Sequence, residues 1–314
     1  MKTSVPRCLD TDVQRALQAL DARLTTLLPE EYRDSYEGME PKPMGSAGLK
    51  YDAEGQVAWD QIWGSFCDLA MAGGPPHKGA LLQPGTEDDI NAEFGRYDEV
   101  AEEICRGITL VTGLRAYVSP TPGWISVTCH GDAMAGWLLR AIVMENVAVR
   151  RRGSILELPV SPQFRLEKEI KNVITVIAKT CHYWLGHIPR DQQQAIADLF
   201  LRLDKESPLI EPAPVTADDG VGDGALAGQI AARIHDETGL RASSQRYPGW
   251  LGIECASVRL AVWMMRALVA SNVLTRREGE VLFVPVNATT DPSGEIVANA
   301  IAHVYRLAQM RCRA

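Results

Sequence analysis

The sequence predicts an α+β protein made of two α-ββ-α-ββ-α units related by a pseudo-two-fold axis and preceded by a unique helical and loop region. Three observations predict it. A shift of 126 residues lays Thr112–Val160 over Thr238–Val286 without a gap, with 22 of 49 positions identical. An identity held at one fixed offset is the signature of an internal repeat. Within each copy, apolar residues alternate over short stretches either side of a strongly apolar helix-length run, as in Ile125, Val127 and Cys129 or Leu251, Ile253 and Cys255. Matched turn residues punctuate these stretches: Pro122-Gly123-Trp124 against Pro248-Gly249-Trp250, and Arg152-Gly153 against Glu278-Gly279.

In chain order, Asp10–Leu28 reads as an amphipathic helix. Val13, Leu17, Leu20 and Leu24 recur at helical spacing, Asp10 or Thr11 serves as N-cap, and Pro29 follows the end. Pro29–Lys50 is too rich in glycine and proline for either helix or strand. A second helix is expected over Val57–Met71, stopped by Gly73-Gly74-Pro75-Pro76-His77-Lys78-Gly79. A polar loop with Pro84-Gly85 comes next, then a helix near Tyr97–Thr112.

The first repeat then predicts strands at Leu114–Ser119 and Trp124–Cys129, a buried helix at Ala133–Asn146, and a second strand pair at Val147–Arg150 and Ile155–Val160. Helices at Glu167–Leu185 and Glu295–Arg311 close the two units, and Asp191–Leu203 forms one between them. Ser207–Gly224, rich in Pro, Asp and Gly, is the natural linker. The expected division is residues 1–96 as the unique region, 97–203 as the first repeat with its connecting helix, 204–224 as linker and 225–314 as the second repeat.

A formal net charge of −8 and a pI near 5.4 argue against nonspecific nucleic-acid binding. No apolar run reaches the roughly 18–20 residues of a membrane span, and the N-terminus lacks the apolar stretch of a signal peptide. Seven cysteines in a chain with a sizeable core fit a reducing compartment. The expectation is a cytoplasmic protein with a small-molecule ligand, no nucleic-acid or membrane partner, and a sequence compatible with a homo-oligomer. No cofactor is specified.

Several residues carry candidate chemistry. In the Gly73–Gly79 loop, His77 is a titratable base beside the cation Lys78, a pairing suited to an anionic substrate. His130 stands where a strand hands over to a helix and is replaced by Ala256 in the second copy. Trp137 and Arg140 lie three apart on the repeat helix, as do Trp263 and Arg266, and an arginine on so apolar a helix needs a partner. That partner is either a structural group or a ligand on which Arg140 and Arg266 converge. Ser46, in the loop Tyr36–Tyr51, completes a possible pocket wall but lacks a nucleophile-elbow pattern. His182 and His187 lie five apart, a poor match for one helical face, and with His130 they form the candidate metal ligands. Cys129 and Cys255 fall on the core face.

Three readings follow. The first is an enzyme acting on a small carboxylate- or phosphate-bearing metabolite between the N-terminal loops and the first repeat. There His77, Lys78 and His130 are catalytic, and Arg140, Arg266, Trp137 and Ser46 bind substrate. The second is a non-catalytic ligand-binding, sensor or carrier protein using the cleft between the repeats. The third is metal binding through His130, His182 and His187.

Overall fold

The computed structural model describes residues 11–30, 48–62, 80–214 and 222–311. Within them the chain is a mixed α+β protein with two four-stranded antiparallel sheets and covering helices. The expected N-terminal helix is α1 (Thr11–Leu27). Of the expected Val57–Met71 helix, the described part is the single turn α2 (Trp59–Ile62). A short helix α3 (Glu87–Ala92) stands where the sequence predicts a polar loop; it exists because Thr86 and Asp89 form a capping box that satisfies the first amides reciprocally. Helix α4 (Phe94–Thr112) ends at Gly113, in the left-handed region at φ +70°.

The first sheet contains β1 (Arg115–Val118), β2 (Trp124–Thr128), β3 (Arg150–Arg152) and β4 (Ile155–Pro159) in the order β1-β2-β4-β3. Helix α5 (Asp132–Met144) connects β2 to β3 and is buried along nearly its whole length. Then come α6 (Lys171–His182), α7 (Arg190–Glu206) and α8 (Gly222–Thr238). The second sheet contains β5 (Arg241–Tyr247), β6 (Trp250–Glu254), β7 (Arg276–Glu278) and β8 (Val281–Pro285) in the order β5-β6-β8-β7. Helix α9 (Val258–Val269) connects β6 to β7, and α10 (Glu295–Arg311) closes the described chain. Registers correspond as well as order: Trp124 pairs with Pro159 and Trp250 with Pro285, while Arg151 pairs with Leu156 and Arg277 with Leu282.

Two departures from expectation have clear causes. The strand expected at Val147–Arg150 begins only at Arg150. Asn146 takes a left-handed conformation at φ +59°, and the backbone beyond it bonds Leu82 instead of the sheet: Leu82 N–H donates to Asn146 O and Ala148 N–H to Leu82 O, both at 2.8 Å. Asn272 (φ +64°) and Ile210 repeat the arrangement in the second half, so Ile210 is fully buried. The helix expected at Glu167–Leu185 is α6 flanked by π-helical turns at Leu166–Ile170 and Tyr183–His187.

One core runs through both halves. Helix α1 lies against α7, α9 and α10, and its terminal carbonyls are satisfied from elsewhere. Trp137 Nε1 donates to Leu27 O at 3.0 Å, and Gln192 Nε2 donates to Thr26 O and Leu28 O. No helix among the described residues is long and apolar enough to cross a membrane.

The Pro-Gly-Trp turns are held by close backbone approach. A Cβ added to Gly123 (φ +83°) would lie 2.9 Å from both Gly85 O and Pro84 Cβ, and one on Gly249 would lie 2.9 Å from Ala213 O. A Cβ on Gly113 would meet nothing within 4 Å. Gly113→Ala therefore carries only the left-handed penalty of about 1–2 kcal/mol, whereas Gly123→Ala adds steric overlap and is expected to cost about 3 kcal/mol or more. Denaturant titration of the two variants checks the order.

Candidate functional site

The close approach of Pro84-Gly85 to Gly123, and of Pro212-Ala213 to Gly249, leaves a cavity of about 190 Å³ at the junction of the halves. The first half contributes Leu81, Pro84, Trp124 and Arg150; the second contributes Glu211, Pro212, Trp250, Asn287 and Thr290. Trp124 and Trp250 open β2 and β6, so the same register position of each sheet delivers a ring to one space.

Each ring sits by a cross-strand arginine, held differently in the two halves. Arg150 lies over Trp124, 4.2 Å from its centroid, and its Nε donates to Glu157 at 2.6 Å. Glu157 is fully buried on β4 and also accepts from Ser119 Oγ at 2.5 Å and Arg152 at 2.8 Å. Burial alone raises this carboxyl's pKa, but the hydrogen bonds from Ser119, Arg150 and Arg152 outweigh it and hold the pKa below the ordinary value. In the second half Phe283 occupies the corresponding position, and Gly252 replaces Ser126 opposite it. A Cβ on Gly252 would come within 3.1 Å of Phe283, so the glycine makes room for the ring. Arg276, fully buried, sits 4.1 Å from the Phe283 centroid and 5.2 Å from that of Trp250, and donates to Glu278 at 2.6 Å and Asn146 Oδ1 at 3.1 Å.

Polar groups on the second-half wall remain underused. Thr290 Oγ1 is buried without a hydrogen-bond partner among the described residues. Burial pushes the Glu211 carboxyl up, against the pull of Arg151 and Arg140. Asn287 is committed to the backbone: its Nδ2 donates to Glu211 O and its Oδ1 accepts from Thr289 and Thr290 amides.

The residues singled out from sequence are scattered relative to this cavity. His77, Lys78 and Ser46 lie outside the described residues. His130 is exposed between β2 and α5 and does not line the cavity. Trp137 is a core residue, tilted against Trp184 with centroids 5.8 Å apart. Arg140 is buried; it stacks on Phe200 (4.0 Å to the centroid), not on Trp137. It donates to Gly136 O at 2.8 Å and to Asn272 Oδ1 of the second half at 2.5 Å. Arg266 is buried on α9 and does not line the cavity.

His182 and His187 do share a face, because the π-helical turn brings positions five apart into line; their Nε2 atoms are 3.0 Å apart. Burial and then the neighbouring His187 lower the His182 pKa. Among the described residues no group of three or more His, Cys, Asp or Glu side chains is placed to hold a metal ion. Cys129 and Cys255 are buried, and desolvation pushes both thiols up to about 12, far from a reactive thiolate.

Trp124 and Trp250 are not among the candidates that the sequence singles out, although the Pro-Gly-Trp motif that occurs twice is an available signal. Glu211 and Thr290 carry no motif. No family model matches the chain, and neither a curated protein nor a solved structure matches it.

Because the folded pKa of Glu157 is depressed, its contribution to stability is present above the unfolded value of about 4.3 and is lost as pH falls through the folded value. Glu157→Gln is expected to cost about 2 kcal/mol at pH 7, because it weakens charge-assisted hydrogen bonds to arginines that water can still reach. The variant's stability is also expected to fall less steeply than the wild type's below about pH 5. Urea titrations across pH check both.

Proposed function

We propose that this chain is an internally duplicated protein, its halves related by a pseudo-two-fold axis, that binds a small molecule non-catalytically in the cavity between them. The observation that carries this reading is that Trp124 and Trp250, register-equivalent in the two sheets, line one cavity. The duplication is supported by the sequence identity, by equal strand orders, and by left-handed residues at matching positions (Gly113/Gly239, Gly123/Gly249, Asn146/Asn272, Gly153/Gly279).

The cavity chemistry favours a planar, mostly apolar ligand bearing one hydrogen-bonding group. Two indoles and the prolines supply apolar wall, and aromatic faces favour stacked rings. An unpaired buried hydroxyl costs about 1–3 kcal/mol, and a ligand amide or hydroxyl would relieve that cost at Thr290. The volume exceeds that of the roughly 150 Å³ apolar cavity that takes up benzene. The catalytic reading rests on His77, Lys78 and His130; the first two lie outside the described residues, and His130 is exposed and does not line the cavity.

Indole and benzamide are suitable probes, followed by tryptophan fluorescence. Benzamide is expected to bind, indole more weakly, and Trp124→Ala and Trp250→Ala each to weaken binding about tenfold or more. Binding of either probe that survives both substitutions would place the ligand elsewhere and refute the reading.

A further inference from the structure

A second cavity, about 280 Å³, lies between α5, β3 and α7. Its charged lining consists of Arg140 and Asp132 from α5, Arg151 from β3 and Asp204 from α7; Phe200 forms an apolar wall. Arg140 is almost wholly buried, and its Nε has no hydrogen-bond partner among the described residues. Among the described residues, the hydrogen-bond acceptor of Arg151 is Gly153 O, at 3.4 Å. Asp204 accepts from Asn272 Nδ2 at 3.0 Å, and Asp132 is exposed at the start of α5.

In the second half the arginine at this register lies near a carboxylate that already has its own partner. Arg277, the register equivalent of Arg151, is buried under the influence of Glu145, itself ion-paired with Lys179. The residue 126 positions beyond Glu145 is Ser271; the carboxylate that acts on Arg151 is Glu211 instead, and a cavity lies beside the arginine. Two guanidinium groups in one wall attract a carboxylate. A simple anion is nevertheless a poor match, because Asp132 and Asp204 share the lining and Glu211 acts on Arg140 from nearby.

We infer that this cavity is a separate binding site for a small zwitterion bearing a carboxylate and an ammonium group, such as a free α-amino acid. The carboxylate meets Arg151 and Arg140, and the ammonium group faces Asp204 and Asp132. The charges of the lining then alternate with those of the ligand, and no group is left against its own sign. The comparison of Arg151 with Arg277 rests on the duplication in the proposed function; the cavity and its four charges do not.

Isothermal titration of the full chain with glycine, L-alanine and L-glutamine, and with propionate and ethylamine as half-ligands, tests the inference. At least one amino acid is expected to bind, with propionate and ethylamine at least tenfold weaker. Arg151→Ala and Asp204→Asn should each weaken the amino acid at least tenfold. Both side chains are partly or fully exposed, and asparagine keeps an acceptor for Asn272, so unchanged thermal melts will show that the variants fold. Trp124→Ala should leave amino-acid binding intact. Absence of binding by all three amino acids, propionate binding as tightly as its amino acid, or persistence of binding in Arg151→Ala and Asp204→Asn would each overturn the inference. Loss of binding in Trp124→Ala alone would assign the ligand to the other cavity and overturn it equally.

Discussion

Two asparagines in the left-handed conformation hold the halves of this protein together. Asn146 and Asn272 follow the central helices α5 and α9, each buried and each turned to positive φ. That conformation costs most residues about 1–2 kcal/mol, and asparagine tolerates it better than most because its short amide can bond nearby backbone. Here the amides reach further. Asn146 donates to Arg277 O at 2.9 Å and accepts from Arg276, both in the second half. Asn272 accepts from Arg140 in the first half and donates to Asp204 and Ser207 O at the end of α7. Their backbone carbonyls accept from Leu82 and Ile210, anchoring the extended segments that carry Pro84 and Pro212. Both cavities are bounded by what these two residues fix.

On this common frame the halves differ chemically. The cross-strand arginine of the first sheet is neutralised by Glu157, itself held by a serine and a second arginine. The corresponding arginine of the second sheet is buried among Tyr247, Trp250 and Phe283 and paired with Glu278. Ser126 and Gly252 change together with Glu157 and Phe283, because a ring on β8 needs the space that a Cβ on β6 would take. The inter-sheet cavity therefore has unlike walls: an ion-paired arginine on one side, and an unpartnered hydroxyl and a half-buried carboxyl on the other. Unlike walls suit one ligand in one orientation.

Much of the frame was legible in the sequence, because period and punctuation are local. The apolar run Met134–Val143 forecast a buried helix, and α5 is one. The closing helix Glu295–Arg311 appears at the expected bounds. What was not legible depends on contacts between distant segments. Nothing local announces that Asn146 and Ala148 bond Leu82 and leave the strand to start at Arg150. The π-helical turn that aligns His182 with His187 breaks the spacing rule that set them apart. The candidate site was harder still. Arginine on an apolar helix drew attention to Arg140, whose role in bridging to Asn272 is structural as well as cavity-lining. The tryptophans of the two Pro-Gly-Trp turns were visible as repeat markers but not as neighbours, since their convergence follows from how the halves dock.

The asparagine junction bounds both cavities, and denaturant unfolding of Asn272→Gly tests its role most directly. Glycine accepts the left-handed backbone without strain, so the substitution removes only the amide that ties Arg140, Asp204 and Ser207 together. A loss of about 2–4 kcal/mol is expected, with fluorescence and circular dichroism of the wild type following one shared transition. A loss below about 0.5 kcal/mol, within the range of an ordinary surface change, together with separate transitions for the two probes, would contradict it.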